Sequence, residues 1–219
     1  MMELTLTPEE LIERQLRAKR TLLWIGLISI VMLFAGLTSA YLVRQAEGKW
    51  LDFQLPGVFK LSTLAILLSS IPMQWSVASI KKGDRKMLIL GLLLTAILGS
   101  AFVYFQYRGW SELFGQGIAF TGSIQYVHAP GATYIPSGNE TLAQSGDAGN
   151  VAGSFLYVLT GLHIAHLLAG MLALMFVLVK ALRNKYSAAE YNGVRMIAVY
   201  WHFLGGLWLY LFLFLLYIR

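Results

Sequence analysis

Apolar residues gather along the chain into five runs, at 21–43, 61–80, 87–107, 151–179 and 196–218, and none contains Asp, Glu, Lys or Arg. Each is at least 20 residues long, enough to carry a helix across a ~30 Å hydrocarbon core. The pattern predicts an all-α integral membrane protein: a single five-transmembrane-helix bundle covering residues 1–219. Polar residues cluster between the runs. Ahead of the first, Thr7, Pro8 and Glu10 have the spacing of a helix start, with Thr7 as cap and Glu10 three residues later as in a capping box. Glu10 with Arg14, and Glu13 with Arg17, then form i,i+4 pairs on a surface helix feeding the first span. In the second run Pro72 removes a backbone hydrogen bond and predicts a kink, with Ser69 and Ser70 placed to re-satisfy the backbone there.

The charges between runs predict an orientation. One side collects Arg14, Arg17, Lys19, Arg20, Lys81, Lys82, Arg85, Lys86, Lys180, Arg183, Lys185 and Arg195; the other has only Arg44, Lys49, Lys60, Arg108 and Arg219. The positive-inside rule then places the N-terminus in and the C-terminus out. The one long connection, the outer loop 108–150, carries eight glycines and only four charges. Its aromatics Trp110, Phe114, Phe120, Tyr126 and Tyr134 suit the bilayer interface or a neighbouring subunit. The N-terminal residues mix glutamates with basic residues, unlike a cleaved signal or transit peptide, so the first span is expected to be retained.

Composition narrows the function classes. Charged residues make up 13% of the chain and hydrophobic ones 57%, where a soluble domain has about a quarter charged. The net charge of +6 arises beside the spans and so reports topology; no nucleic-acid partner is expected. The chain has no cysteine, which excludes disulfides, thiolate metal sites, iron–sulfur clusters and thiolate-bridged copper. Ion-coupled transporters and proton pumps place acids or bases within their spans, and here only histidines are available.

Metal or haem ligation rests on His128, His163, His166 and His202. A small membrane cytochrome b-type enzyme would pair His163 or His166 with His202, since residues three apart on one helix share a side and cannot bracket one haem. With Lys180 and Arg195 taken to mark one interface, His202 lies about 10 Å deep and His166 about 21 Å, which disfavours that pairing. The structural alternative has the imidazoles hydrogen-bonding to a neighbouring helix. His163, His166 and Gly170 form one face, while Gly161, Ala165, Ala169 and Ala173 form a small-residue stripe expected to admit a second helix closely. His202, Gly205, Gly206 and Leu209 repeat the combination in the fifth run, whose many aromatics suggest packing on other subunits.

Beyond periodicity, particular residues resemble a family. Gly153, Ser154, Phe155, Thr160, Gly161, His163, His166 and Gly170, followed by Tyr200, Trp201, His202, Phe203 and Trp208, resemble haem–copper oxidase subunit III, as in cytochrome c oxidase. The likeness extends back through Trp75, Gly83, Asp84 and Arg85 and through 29–41, covering all five runs in order. It is closest to the five-helix bacterial form that lacks the family's first two helices. Ile30 and Gly205 stand where that family has a glutamate and an aspartate, and Ser39 and Val43 where it has a lipid-touching tryptophan and histidine. The resemblance implies no catalytic residue, cofactor or metal in this chain, the haems and copper being on partner subunits. It implies docking on the catalytic subunit I alongside subunit II and small subunits, within an aerobic respiratory chain, with membership of a respiratory supercomplex left open. It further implies support of proton uptake and phospholipid binding, with Lys180 and Arg183 near a lipid head group, and a place in the bacterial cytoplasmic membrane. His163, His166, Trp201, His202 and Trp75 then serve as structural signature residues. A subunit III-like accessory protein of a nitric-oxide reductase shares this pattern and stays open, as does the electron donor, cytochrome c or quinol.

Overall fold

A computed structural model of the chain describes residues 7–46, 55–115, 118, 120, 142–184, 186 and 191–218, with backbone alone at 8–9 and 142–150. His128, Tyr126 and Tyr134 from the outer loop lie outside the described residues, as do Lys49, Lys185 and Arg219. The described residues form five helices: α1 (Pro8–Ala46), α2 (Val58–Lys81), α3 (Arg85–Gly115), α4 (Leu142–Leu182) and α5 (Asn192–Tyr217). All five are long and apolar enough to cross a membrane, so the protein is a multi-pass membrane protein of the all-α class that the hydrophobic runs predict.

The helices outrun the apolar segments. α1 begins at Pro8, where the Thr7 amide donates to Glu10 Oε2 (2.8 Å) and the Glu10 amide to Thr7 Oγ1 (3.4 Å), a reciprocal capping box. The Glu10 carboxylate thus turns back to the cap instead of towards Arg14, while Glu13 and Arg17 pair at 2.6 Å. α3 continues to Gly115 because Gly109 and Leu113 remain buried against the bundle and Trp110 is anchored. Helix therefore occupies both ends of the stretch 108–150 that composition alone assigns to loop. Gly83 (φ 75°) and Asn184 (φ 56°) supply the left-handed backbone that ends α2 and α4.

Helices α2, α3, α4 and α5 close a ring in which each contacts the next and α5 returns to α2. α1 lies outside this ring, against α4 and α5 only. It packs through Leu27, Ile30, Phe34, Thr38 and Tyr41, a strip at three- and four-residue spacing, and leaves Trp24, Ile28 and Met32 exposed. A bilayer is an acceptable solvent for such a face.

α2 and α3 form the most extensive pair because Gly91 lets them touch: a Cβ there would overlap Ser76 Oγ and lie 2.8 Å from the Pro72 carbonyl oxygen. Gly99 and Gly109 do the same for the rings of Trp201 and Phe59, and Gly170 for Tyr200. The small stripe on α4 behaves differently. Gly161 has nothing within 4 Å of its Cβ direction, and Ala165, Ala169 and Ala173 are exposed, so within this chain the stripe admits no helix. The close approaches lie instead where a bulky side chain from one helix meets a glycine on another. Pro72 sits buried inside α2; Ser69 Oγ donates to Ile66 O (2.6 Å), and Ser70 Oγ faces Gly205 across the α2–α5 contact.

Candidate functional site

The interior of the ring is more polar than the hydrophobic runs suggest. α2 turns Ser62, Thr63, Ser69 and Ser76 inward at roughly heptad spacing, all buried. A serine or threonine hydroxyl donates to its own helix one turn back, as Thr63 Oγ1 does to Phe59 O (2.8 Å), and keeps a lone pair free for a neighbour. Indoles use those lone pairs. Trp201 Nε1 donates to Ser69 Oγ (2.9 Å) and Trp208 Nε1 to Thr63 Oγ1 (2.9 Å), two bonds joining α5 to α2. Trp110 Nε1 donates to Thr160 Oγ1 (3.0 Å), joining α3 to α4, and Tyr210 Oη to Thr38 Oγ1 (3.1 Å), joining α5 to α1. Such bonds between spans contribute about 0.6–2 kcal/mol each.

The two histidines of α4 take different surroundings. His163 is fully buried at the centre of the ring, its imidazole 5.7 Å from the Phe102 ring centroid and 5.0 Å from that of Trp208. Neither of its nitrogens has a hydrogen-bond partner among the described residues. His166, three residues on, faces α1 at 5.9 Å from the Phe34 ring, and its Nδ1 lies 2.7 Å from Leu162 O of its own helix. Neither imidazole makes the direct bond to a neighbouring helix that their shared face suggests. The groups packed directly on the imidazoles are rings: Phe102 of α3 and Trp208 of α5 on His163, and Phe34 of α1 on His166. The α4–α5 polar tie comes from Tyr200, whose hydroxyl donates to His166 O (3.0 Å).

His202 stands on a different side of the bundle. Tyr200 and Leu204 both meet Gly170, so they mark the face of α5 towards α4. His202 lies two residues from each, about 160° round the helix, and therefore points away from α4. The register also revises the depth estimate. With Gly170 opposite Tyr200 and Leu204, His202 is level with Gly170, about 6 Å from the level of His166 and not ~10 Å. The estimate was too large because Lys180 is level with Asn192, which sets Arg195 a turn deeper. Direction, not depth, separates His202 from the α4 histidines. Among the described residues no group of three or more His, Asp or Glu is placed to hold a metal ion.

The remaining predicted residues are dispersed. Trp201 is fully buried on Ser69 and Gly99, whereas Trp75 on α2 is 45% exposed on the outer surface of the ring. Lys180 lines a cleft of about 900 Å³ between α1, α4 and α5, shared with Lys19, Gln15 and Tyr186, and its Nζ sits 4.5 Å from the Phe176 ring centroid. Arg183 is exposed in the turn after α4 and outside that cleft. The cleft exists because α1 leaves the bundle below Leu27, so that Ile12, Leu16 and Leu23 face α4 and α5 across a gap.

Two features escape the sequence pattern. Gln106, on α3, is fully buried with Nε2 donating to Ser62 Oγ (3.0 Å); it sits in a run of apolar residues without a periodic signal. Arg85, the first residue of α3, reaches the end of α4: its Nε donates to Ala181 O (3.0 Å) and Nη2 to Leu182 O. A cation there satisfies terminal carbonyls and complements the helix dipole. Its spacing after Gly83 and Asp84 is visible in sequence, but its partner is 96 residues away.

The spans of the ring are tied by indole–hydroxyl bonds, and the two α4 imidazoles pack on rings. Residues 139–219 match the family model described as cytochrome c oxidase subunit III. The chain is 28% identical over 203 residues to the probable cytochrome c oxidase subunit 3 of Mycobacterium leprae, covering 91% of this chain and 86% of that one. It is 26% identical over 196 residues to cytochrome c oxidase subunit 3 of Corynebacterium diphtheriae, covering 86% and 82%. With the corresponding protein of Tetraodon nigroviridis it shares 29% identity over 153 residues, 70% of this chain and 47% of that one. What the chain is similar to, over its C-terminal part by the family model and over most of its length by these relatives, is cytochrome c oxidase subunit III.

Proposed function

We propose that this chain is the accessory, non-catalytic subunit III of a haem–copper terminal oxidase. The observation that carries the reading is similarity, along nearly the whole chain, to proteins named cytochrome c oxidase subunit 3. In this role the chain docks on the haem-bearing subunit I, beside subunit II, in a bacterial cytoplasmic membrane, with its N-terminus in and C-terminus out. It stabilises the catalytic subunit and sustains proton uptake there, while haems and copper stay on its partners. The exposed small stripe 161–173 and the exposed apolar face of α1 are surfaces that such docking, or lipid, would cover.

At the basic end of the bundle, Lys180 and Arg183 receive an anionic lipid head group. The apolar cleft beside Lys180, with Lys19 across it, supports the part of this that rests on Lys180: two cations at the mouth of an apolar gap suit a phosphate above acyl chains, with Arg183 in the turn beyond the cleft. In Lys180→Gln/Arg183→Gln, mass spectra of the intact complex are expected to lose retained anionic phospholipid; unchanged retention refutes the assignment. The function itself is tested by affinity purification of the tagged chain from its native membrane. Copper-binding subunit II and haem-bearing subunit I are expected with it, and nitric-oxide reductase subunits in their place would overturn the oxidase reading.

A further inference from the structure

α3 and α4 run antiparallel, and two contacts fix their register. Trp110 on α3 bonds Thr160 on α4, and Phe102 on α3 packs against His163 on α4. Gln106 lies midway between Phe102 and Trp110 on the same buried face, about 6 Å along the helix from each. It is therefore opposite the turn of α4 between Thr160 and His163. The α5 contacts agree: Trp208, which packs on His163, donates to Thr63, the neighbour of the Ser62 that receives Gln106.

At this level three buried polar atoms have no partner among the described residues: Gln106 Oε1, His163 Nδ1 and His163 Nε2. The amide orientation is set by its surroundings. Ser62 commits its hydroxyl proton to Phe59 O (2.9 Å), so it can only accept from Gln106, and Oε1 must point elsewhere. An acceptor and an imidazole left unsatisfied at membrane depth each cost several kcal/mol. Thr160, the other polar group on this turn, already donates to Leu156 O and accepts from Trp110, leaving it no proton for Gln106.

We propose that Gln106 and His163 bind an ordered water between them, an internal site that bridges α3 to α4 inside the ring. Water suits both ends. One O–H donates to Gln106 Oε1; the oxygen accepts from the imidazole if its facing nitrogen is protonated, or the second O–H donates if it is bare. Either tautomer of a neutral histidine is served, and buried waters characteristically take two to four such partners. The bridge completes a polar layer from Ser62 on α2, through Gln106 on α3 and His163 on α4, beside the Thr63–Trp208 bond from α2 to α5. All four ring helices are thereby held in one register.

Two measurements on the full chain, in the assembly with which it purifies, test the site. In a density map that shows other buried waters, a peak is expected within hydrogen-bond distance of both Gln106 Oε1 and one His163 ring nitrogen. Absence of the peak, with the His163 N–H on the Trp208 ring face or directly on Gln106, overturns the proposal. Separately, Gln106→Leu and His163→Leu are each expected to lower the thermal midpoint by several degrees. The double substitution should fall no further than the worse single one, because it removes both groups the water serves. Losses that simply add would mean that the two residues do not share a ligand. The map arm stands even where a variant fails to assemble.

Discussion

The same substitution, Gly→Ala, should have opposite signs at two positions of this bundle. At Gly91 an added Cβ overlaps Ser76 Oγ and lies 2.8 Å from the Pro72 carbonyl oxygen. The Ser76 hydroxyl is not free to swing away without losing its 2.9 Å bond to Pro72 O, and the carbonyl belongs to the backbone of α2. Relief therefore requires α2 and α3 to separate by a few tenths of an ångström or more along their contact. Overpacking of this kind costs about 1–3 kcal/mol. Alanine returns about 1 kcal/mol of helix propensity, so Gly91→Ala should destabilise by up to about 2 kcal/mol. At Gly161, where nothing lies within 4 Å, only the propensity gain remains, and Gly161→Ala should be neutral or stabilising by up to about 1 kcal/mol. Thermal unfolding of the two variants in the same detergent separates them. A midpoint for Gly91→Ala equal to or above that of Gly161→Ala would refute the close α2–α3 approach. Loss of Gly161→Ala from the intact complex, with the isolated chain unharmed, would instead mark the stripe as a contact with a partner subunit.

Other consequences follow from single contacts. Arg85→Leu removes the donors to Ala181 O and Leu182 O and should cost about 1–3 kcal/mol, read as faster amide exchange confined to the end of α4 and the start of α3. Unchanged exchange there would show that water caps α4 equally well. Trp208→Phe keeps most of the ring but loses the bond to Thr63, and should cost about 0.6–2 kcal/mol plus a packing loss; Thr63→Val in the Trp208→Phe background should then add little. Additive costs would count against the bond. Outside the spans, burial raises the Tyr186 phenol above its ordinary 10.0. The folded state holds that proton more tightly than the unfolded one, so the stabilisation is whole below the unfolded pKa and is lost as pH rises through the folded one. Difference absorbance of wild type against Tyr186→Phe should show phenolate forming above pH 10, and ionisation at or below 10 would contradict the burial.

Class and element number were legible because each apolar run is long, free of charge and bounded by polar residues, a signal that the bilayer itself imposes. The capping box before α1 was legible for a local reason, since its partners are three residues apart. The neighbours of each helix were not. A wheel placed His163, His166 and Gly170 on one face, yet His163 meets Phe102 and Trp208 while His166 meets Phe34, because a 60° difference in direction selects different helices. Likewise the small stripe on α4 looked like a contact, whereas the actual approaches use Gly91, Gly99, Gly109 and Gly170. Periodicity identifies a face; only the ring order of the helices decides what that face meets. Gln106 was hidden for a related reason, since one amide in an apolar run carries no period, and its partner Ser62 is 44 residues away.

In an accessory subunit of the kind proposed, the histidines would pack and not ligate. The most direct test is the visible spectrum of the chain alone and of the complex that purifies with it. The isolated chain should show no haem Soret band. The complex should show one that survives His163→Ala, His166→Ala and His202→Ala for as long as the subunit remains bound. A Soret band in the isolated chain, lost in His202→Ala, would contradict the account.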